Sequence, residues 1–305
     1  MVTTKVDLLG ITLDNPIIPA SGTFGFGYEF SRFYDLDRLG AISIKGTTVE
    51  PRYGNPLPRI AEAPEGVLNA VGLQNPGMKA VIEEELPHLE KVYHKKVLAN
   101  ISGFAVEEYV TLAKAFDPVD QVGWLEVNIS CPNVHGGGMA FGQDPEGAAA
   151  VTKAVKEVST KPVIVKLSPN VTDIAAIAKA CEEAGADGLS LVNTFLATRI
   201  DLKTRRFILA NETGGLSGPA IFPIALRMVS QVSRAVDIPV IGMGGIRTCE
   251  DVLEMIMAGA ACVQVGAANL TDPWACLKLV EALPETMEKY GIQSLDEIRG
   301  AAYAG

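Results

Sequence analysis

Short β-branched runs alternate with amphipathic stretches along almost the whole chain, and that alternation sets the first expectation. Eight runs read as strands: NPIIPAS (15–21), AISIKG (41–46), VLANISG (97–103), WLEVNIS (124–130), PVIVKLS (162–168), GLSLVNT (188–194), PVIGMGG (239–245) and CVQVGA (262–267). Between most of them lie helical patterns, such as EEYVTLAKAF (107–116), TDIAAIAKACEEAG (172–185) and EDVLEMIMAGA (250–260). Apolar residues recur there every three or four positions, as in a helix resting on a sheet. Strands so uniformly apolar are covered on both faces, which requires parallel pairing through crossover helices. Eight such units in 305 residues, with no linker-like stretch, predict one α/β domain over residues 1–305, a (β/α)8 TIM barrel. The opening KVDLLGITLDN predicts a short N-terminal β-hairpin that closes the barrel bottom and turns at Gly10. A doubly wound open sheet is the alternative, weakened because no GxGxxG opens a first strand–helix turn.

A barrel places its chemistry at the C-terminal mouth, so the residues that end each strand matter most. In order they are Ser21; Lys45 and Gly46; Asn100; Asn128 with Ser130 and Cys131; Lys166; Asn193 and Thr194; Gly244 and Gly245; Gly266. Nearly every strand ends in a hydrogen-bonding side chain or in glycine. GMGGIRTCED (242–251) and QVGAAN (264–269) follow strands seven and eight, where barrels often bind phosphate. Glycine lets backbone N–H groups approach a phosphate, and a nearby helix N-terminus adds partial positive charge. Plain turn glycines are the competing explanation.

Lysines at positions 45 and 166 are costly to bury unless an anionic partner meets them. One use is beside a flavin, whose reduced ring is stabilised by positive charge. Another is Schiff-base formation, and a third is a structural ion pair on the rim. Sequence does not choose among these. Asn69, Asn100, Asn128 and Asn193 supply donors and acceptors that suit a flat ring bearing amides and carbonyls. NAVGLQNPG (69–77) adds backbone groups, with Pro76 near a helix start.

Cys131 lacks a second cysteine at metal-ligand spacing, and His135 is a weak partner for either a metal or a nucleophile. Pro132 ends the strand and glycines 136–138 make a loop, so the thiol is expected to face the mouth. With an unperturbed thiol pKa of ~8.5, proton transfer is the reading adopted. Cysteines 181, 249, 262 and 276 fall in helical patterns, at helix starts or in strand eight, and read as structural.

Composition narrows the class. A net charge of −10 argues against general affinity for nucleic acid or anionic membranes. Five cysteines, with no CxxC, predict reduced thiols, a cytoplasmic home and no metal site. No basic region precedes an apolar core at the N-terminus, and no run of ~18 apolar residues is present, so neither a secretory signal nor a membrane span is expected.

Together, SGTFGFGYE (21–29), IKGTT (44–48), GNPLPRIAE (54–62), NAVGLQNPG, NISCPN (128–133), VNT (192–194), GGLSGPA (214–220) and GMGGI (242–246) resemble the dihydroorotate dehydrogenases, flavoenzymes that make orotate for pyrimidine biosynthesis. The resemblance runs from about Val6 to the last helix. A cysteine in the active-site loop is similar to class 1 enzymes, and SGTFGFG with NAVGLQNPG to the 1B branch. That branch pairs with an iron–sulfur and FAD subunit and uses NAD.

The resemblance implies FMN contacts from Ser21, Lys45, Gly46, Asn100, Asn128, Lys166, Val192, Gly218, Gly244, Gly245, Gly266 and Ala267. It implies substrate contacts from Lys45, from Asn69, Ala70, Val71, Gly72 and Leu73, and from Asn128, Asn193 and Thr194. Cys131 would take the C5 proton of dihydroorotate while the C6 hydride passes to N5 of FMN, with the loop from Pro132 to Gln143 closing over the site. Ala267 stands where the family commonly has threonine, so any hydroxyl contact there would be missing. A chain with no cysteine cluster and no dinucleotide fingerprint would need the partner's [2Fe–2S] and FAD to reach NAD. A homodimer within a heterotetramer is the implied assembly. Segment 195–214 is left as lid, dimer surface or partner contact. The alternatives are a class 1A-like, fumarate-reducing enzyme, a Schiff-base aldolase barrel and a non-catalytic binding barrel.

Overall fold

The computed structural model describes residues 2–129 and 141–303. Its first element is the expected hairpin, β1 (Val6–Leu8) against β2 (Ile11–Leu13). Leu9 and Gly10 both take positive φ, 54° and 84°, the geometry that matches a two-residue loop to strand twist.

Along the chain follow β3 (Ile17–Pro19), β4 (Ile42–Ser43), β5 (Ile60–Ala63), β6 (Gly66–Asn69), β7 (Val97–Ile101), β8 (Val122–Asn128), β9 (Val163–Lys166) and β10 (Gly188–Leu191). Then come β11 (Phe195–Thr198), β12 (Ile200–Asp201), β13 (Arg206–Phe207), β14 (Thr213–Ser217), β15 (Val240–Met243) and β16 (Cys262–Val265). Eight of them form one sheet in the order β3–β16–β15–β10–β9–β8–β7–β4, and every pairing in it is parallel. The Gly40 N–H donates to the Ile17 carbonyl at 3.0 Å, bringing the two end strands together and closing the barrel. Seven of these eight strands fall inside the apolar runs of the sequence, and β8 begins two residues before its run, at Val122.

Helices cover the outside where the helical period is found, including Val106–Phe116, Ile174–Glu183 and Cys249–Met257. Pro145–Lys156, Phe222–Ser233 and Ala275–Lys289 extend the ring. Their apolar stripes and the strands' outer faces form one continuous core. A fully buried leucine or isoleucine contributes ~1.5–3 kcal/mol, so this shared surface is what holds the ring of helices to the sheet. The step from β3 to β4 departs from the pattern. It is made by two short 3-10 turns, Tyr28–Arg32 and Leu36–Arg38, because Gly22, Gly25 and Gly27 hold the SGTFGFG loop at positive φ. Trp124 in β8, fully buried, donates its indole N–H to the Leu8 carbonyl at 3.2 Å and ties the hairpin to the barrel.

Two excursions rise from the mouth, one after β4 and one after β10. They meet as a four-stranded antiparallel sheet in the order β11–β14–β6–β5. Asn69 pairs with Gly215 and Leu68 with Leu216, over a small cluster of buried Leu68, Ala70 and Leu209. Segment 195–214 therefore supplies β11, the small β12–β13 hairpin and the start of β14. The apolar and helical periods of the sequence do not show this sheet. No helix among the described residues is long and apolar enough to cross a membrane.

Candidate active site

The C-terminal strand ends and the four-stranded sheet enclose a cleft of about 300 Å³. Its wall contains every residue expected at the mouth among those described: Ser21, Lys45, Gly46, Asn69, Ala70, Val71, Gly72, Leu73, Asn100, Asn128, Lys166, Val192, Asn193, Thr194, Gly218, Gly244, Gly245, Gly266 and Ala267. Parallel strands explain the convergence, since all of their C-terminal ends open on the same side. Cys131 and Ser130, with the loop to Ala140, lie outside the described residues.

Lys166 ends β9, is 5% exposed, and stands in register with Asn128 of β8. Asn193 donates to the Asn128 side chain at 3.4 Å and accepts the Thr194 N–H at 2.8 Å. Tyr109, fully packed in its helix, donates to the Asn128 carbonyl at 2.9 Å and fixes the strand end from outside. Lys45 is half-buried, with its Nζ 4.0 Å from where a side chain on Gly22 would begin.

The stretch from Ala70 to Leu73 is held by its carbonyls. Asn55 donates to the Ala70 carbonyl through its side chain (3.0 Å) and to that of Val71 through its backbone (3.0 Å). Arg52 Nε donates to the Gly72 carbonyl at 3.5 Å, and Asn75 to that of Leu73 at 2.7 Å. Gly72 and Leu73 take φ of 76° and 56°. Among the described residues the N–H groups of Val71, Gly72 and Leu73 donate to nothing in the protein, so three successive donors remain for a ligand. Arg52, whose guanidinium lies 4.5 Å from the Phe104 ring centroid, also lines the cleft.

A second set of donors follows the ends of β15 and β16. Gly244 and Gly245 take φ of 124° and 80°. Their N–H groups, with those of Gly266 and Ala267, have no protein acceptor among the described residues. These four half-buried donors form the glycine cradle expected after strands seven and eight. The helix starting at Cys249 contributes less than its sequence position promises. Thr248 accepts the Asp251 N–H while Asp251 accepts the N–H groups of Arg247 and Thr248, so the helix caps itself and stands outside the cleft.

Below the mouth lies a residue that the sequence pattern conceals. Glu126 of β8 is fully buried inside the barrel. One carboxylate oxygen accepts from Ser43 (2.9 Å) and Asn100 (2.7 Å), the other from Ser190 (2.8 Å) and Gln264 (2.6 Å). Burial pushes its pKa up, but the Lys166 charge and the donated hydrogen bonds outweigh burial and hold it below the usual carboxylate value. The available signal was its parity, because Glu126 and Asn128 sit two apart on one face of β8. Among the described residues, Asn100 Oδ1 is buried beside Gly46 with no hydrogen-bond partner.

Cysteines 181, 249, 262 and 276 are buried free thiols. Burial pushes Cys181, Cys262 and Cys276 up to about 12, which makes them inert fillers, as expected from their positions.

Comparison with known proteins agrees with this geometry. The dihydroorotate dehydrogenase family model matches residues 3–287. A relative from Geobacillus kaustophilus is 59% identical over 298 residues, covering 98% of this chain and 95% of its own. One from Enterococcus faecalis V583 is 57% identical over 293 residues (96% and 94%), and one from Bacillus mycoides 58% over 299 residues (98% and 96%). All three are named dihydroorotate dehydrogenase B (NAD(+)), catalytic subunit. A barrel with two sets of backbone donors, two lysines and an amide cluster at its mouth, matched almost end to end, places this chain in the dihydroorotate dehydrogenase family.

Proposed function

We propose that this chain oxidises (S)-dihydroorotate to orotate in pyrimidine biosynthesis, with one FMN per chain as the immediate electron acceptor. The observation that carries the reading is the convergence, in one cleft, of Lys45, Lys166, Asn69, Asn100, Asn128 and Asn193 with two rows of backbone donors left without acceptors among the described residues. The residues suit FMN. Gly244, Gly245, Gly266 and Ala267 would hold its phosphate through backbone N–H groups, which need no hydroxyl at position 267. The orphaned Asn100 Oδ1 is an acceptor awaiting a ligand N–H, and Ser21, Lys45, Gly46, Asn128, Lys166, Val192 and Gly218 complete the surround. When bound, FMN supplies the hydride acceptor.

The chain's own residues do the rest. Val71, Gly72 and Leu73 offer three N–H groups to an anion, and Lys45 adds charge, which together suit the substrate carboxylate. Asn69, Ala70, Asn128, Asn193 and Thr194 fix the pyrimidine ring. Cys131, outside the described residues, is assigned the C5 proton on the strength of its place just past the end of β8. Electrons then pass to NAD through a partner subunit carrying FAD and [2Fe–2S], in a heterotetramer built on a homodimer in the cytoplasm. The names of the three relatives, which specify NAD(+) and a catalytic subunit, support this route. The chain acts as one FMN-binding barrel domain.

Purified protein should be yellow, release FMN on acid treatment, and bleach anaerobically when dihydroorotate is added. A gently purified protein with no flavin would overturn the reading. Turnover of the chain alone with fumarate, undiminished without a partner, would move it to the 1A branch. Gly245→Ala tests the cradle. A β-carbon there would sit 2.8 Å from Phe222 and 2.9 Å from the Gly218 carbonyl, at a φ that costs alanine ~1–2 kcal/mol. FMN affinity is expected to fall by ~10-fold or more, read by fluorescence quenching on reconstitution.

A further inference from the structure

Barrel interiors of this kind are filled by branched apolar side chains, yet Glu126 puts a carboxylate there. Removing such a group from water costs several kcal/mol, and a well-packed apolar residue often serves stability equally well. The four donors around Glu126 come from four different strands, β4, β7, β10 and β16. Glu126, Ser43, Ser190 and Gln264 are not part of the cleft wall, whereas the fourth donor, Asn100, and Lys166 line it. A carboxylate can only accept, so it compels Asn100 to turn its amide nitrogen downward. That choice leaves Oδ1 beside Gly46 on the cleft wall, buried and unpartnered among the described residues. Gln264 is treated in the same way, its nitrogen held and its oxygen left orphaned. Glu126 pairs with Ile164 and Asn128 with Lys166, so Lys166 stands two residues further along the neighbouring strand on the same inner face, and this carboxylate is the negative charge nearest it inside the barrel.

We propose that Glu126 is a positioning residue for the flavin. Through Asn100 it fixes an acceptor on the cleft wall, and through Lys166 it limits how strongly positive charge favours the reduced ring. The inference rests on the FMN reading above. It makes the reduction potential of this enzyme depend on a buried carboxylate that is not itself part of the cleft wall.

The test is a redox titration of the holoenzyme against indicator dyes. Glu126→Gln removes the negative charge, so Lys166 acts unopposed and the reduced flavin is favoured ~10-fold more, a positive shift of about 30 mV for a two-electron couple. Glu126→Asp keeps the charge but is too short to reach both Asn100 and Gln264. It is expected to bind FMN ~10-fold more weakly with little change in potential, and it carries the test should the glutamine protein fail to fold. Wild-type protein that holds FMN, with a Glu126→Gln potential unchanged or a Glu126→Asp affinity unchanged, overturns this inference alone. Wild-type protein without flavin overturns the reading beneath it.

Discussion

Replacing Cys131 by alanine is expected to slow reduction of the bound flavin by dihydroorotate ~10²-fold or more, while FMN content stays at the wild-type level. General-base catalysis is commonly worth 10²–10⁴-fold, and none of the other four cysteines can stand in. Each of those is buried, in a helix, at a helix start or in β16, and three are pushed up to about 12 by burial. Stopped-flow bleaching under anaerobic conditions separates this step from electron delivery to any partner. The wild-type rate should also rise with pH as the thiol ionises, and the alanine protein should lose that dependence. Bleaching of the variant at the wild-type rate would remove Cys131 from the mechanism.

The second large effect belongs to Lys166→Met. The loss of positive charge disfavours the reduced flavin, so the midpoint potential should fall. A 10- to 100-fold change in preference corresponds to about 30–60 mV. That sign is opposite to the one expected for Glu126→Gln, and the two substitutions should be non-additive if they act on one charge balance. Stability should also suffer, because Glu126 keeps its burial but loses its compensating cation. The two groups interact through space and not by a hydrogen bond, so ~2 kcal/mol is expected, below the ~3–5 of a contacting buried pair.

The pH dependence has a definite sign. The folded pKa of Glu126 is lowered, so the stability that its ionisation confers is present above the unfolded carboxylate pKa and disappears as pH falls through the folded value. The gap between wild type and Lys166→Met should therefore be widest near neutrality and narrow on acidification. Urea midpoints at a series of pH values would show it. A gap that widens in acid would mean that Lys166 does not compensate this carboxylate.

The local pattern was sufficient for the barrel and for the membership of its rim. Burial on both faces requires β-branched runs, and packing on a sheet requires a helical period, so NPIIPAS through CVQVGA announced eight strands. Because parallel strands all end on one side, naming the strand ends also named the barrel's share of the cleft wall, from Ser21 to Gly266. Tertiary structure decided the rest. The β11–β14–β6–β5 sheet joins segments nearly 150 residues apart, and strands half exposed at a rim carry no strong alternation to betray their pairing. The helix at Cys249 caps itself through a box that is local, Thr248 with Asp251, but its place outside the cleft was settled only by the folded barrel. Glu126 is the clearest case. Within WLEVNIS it reads as one polar interruption of a strand, and its character comes from Ser43, Asn100, Ser190 and Gln264, drawn from strands distant in sequence. A single chain can write periodicity, because periodicity is local. The pairing of a buried charge is a sum over distant neighbours, and only closure of the barrel brings those neighbours together.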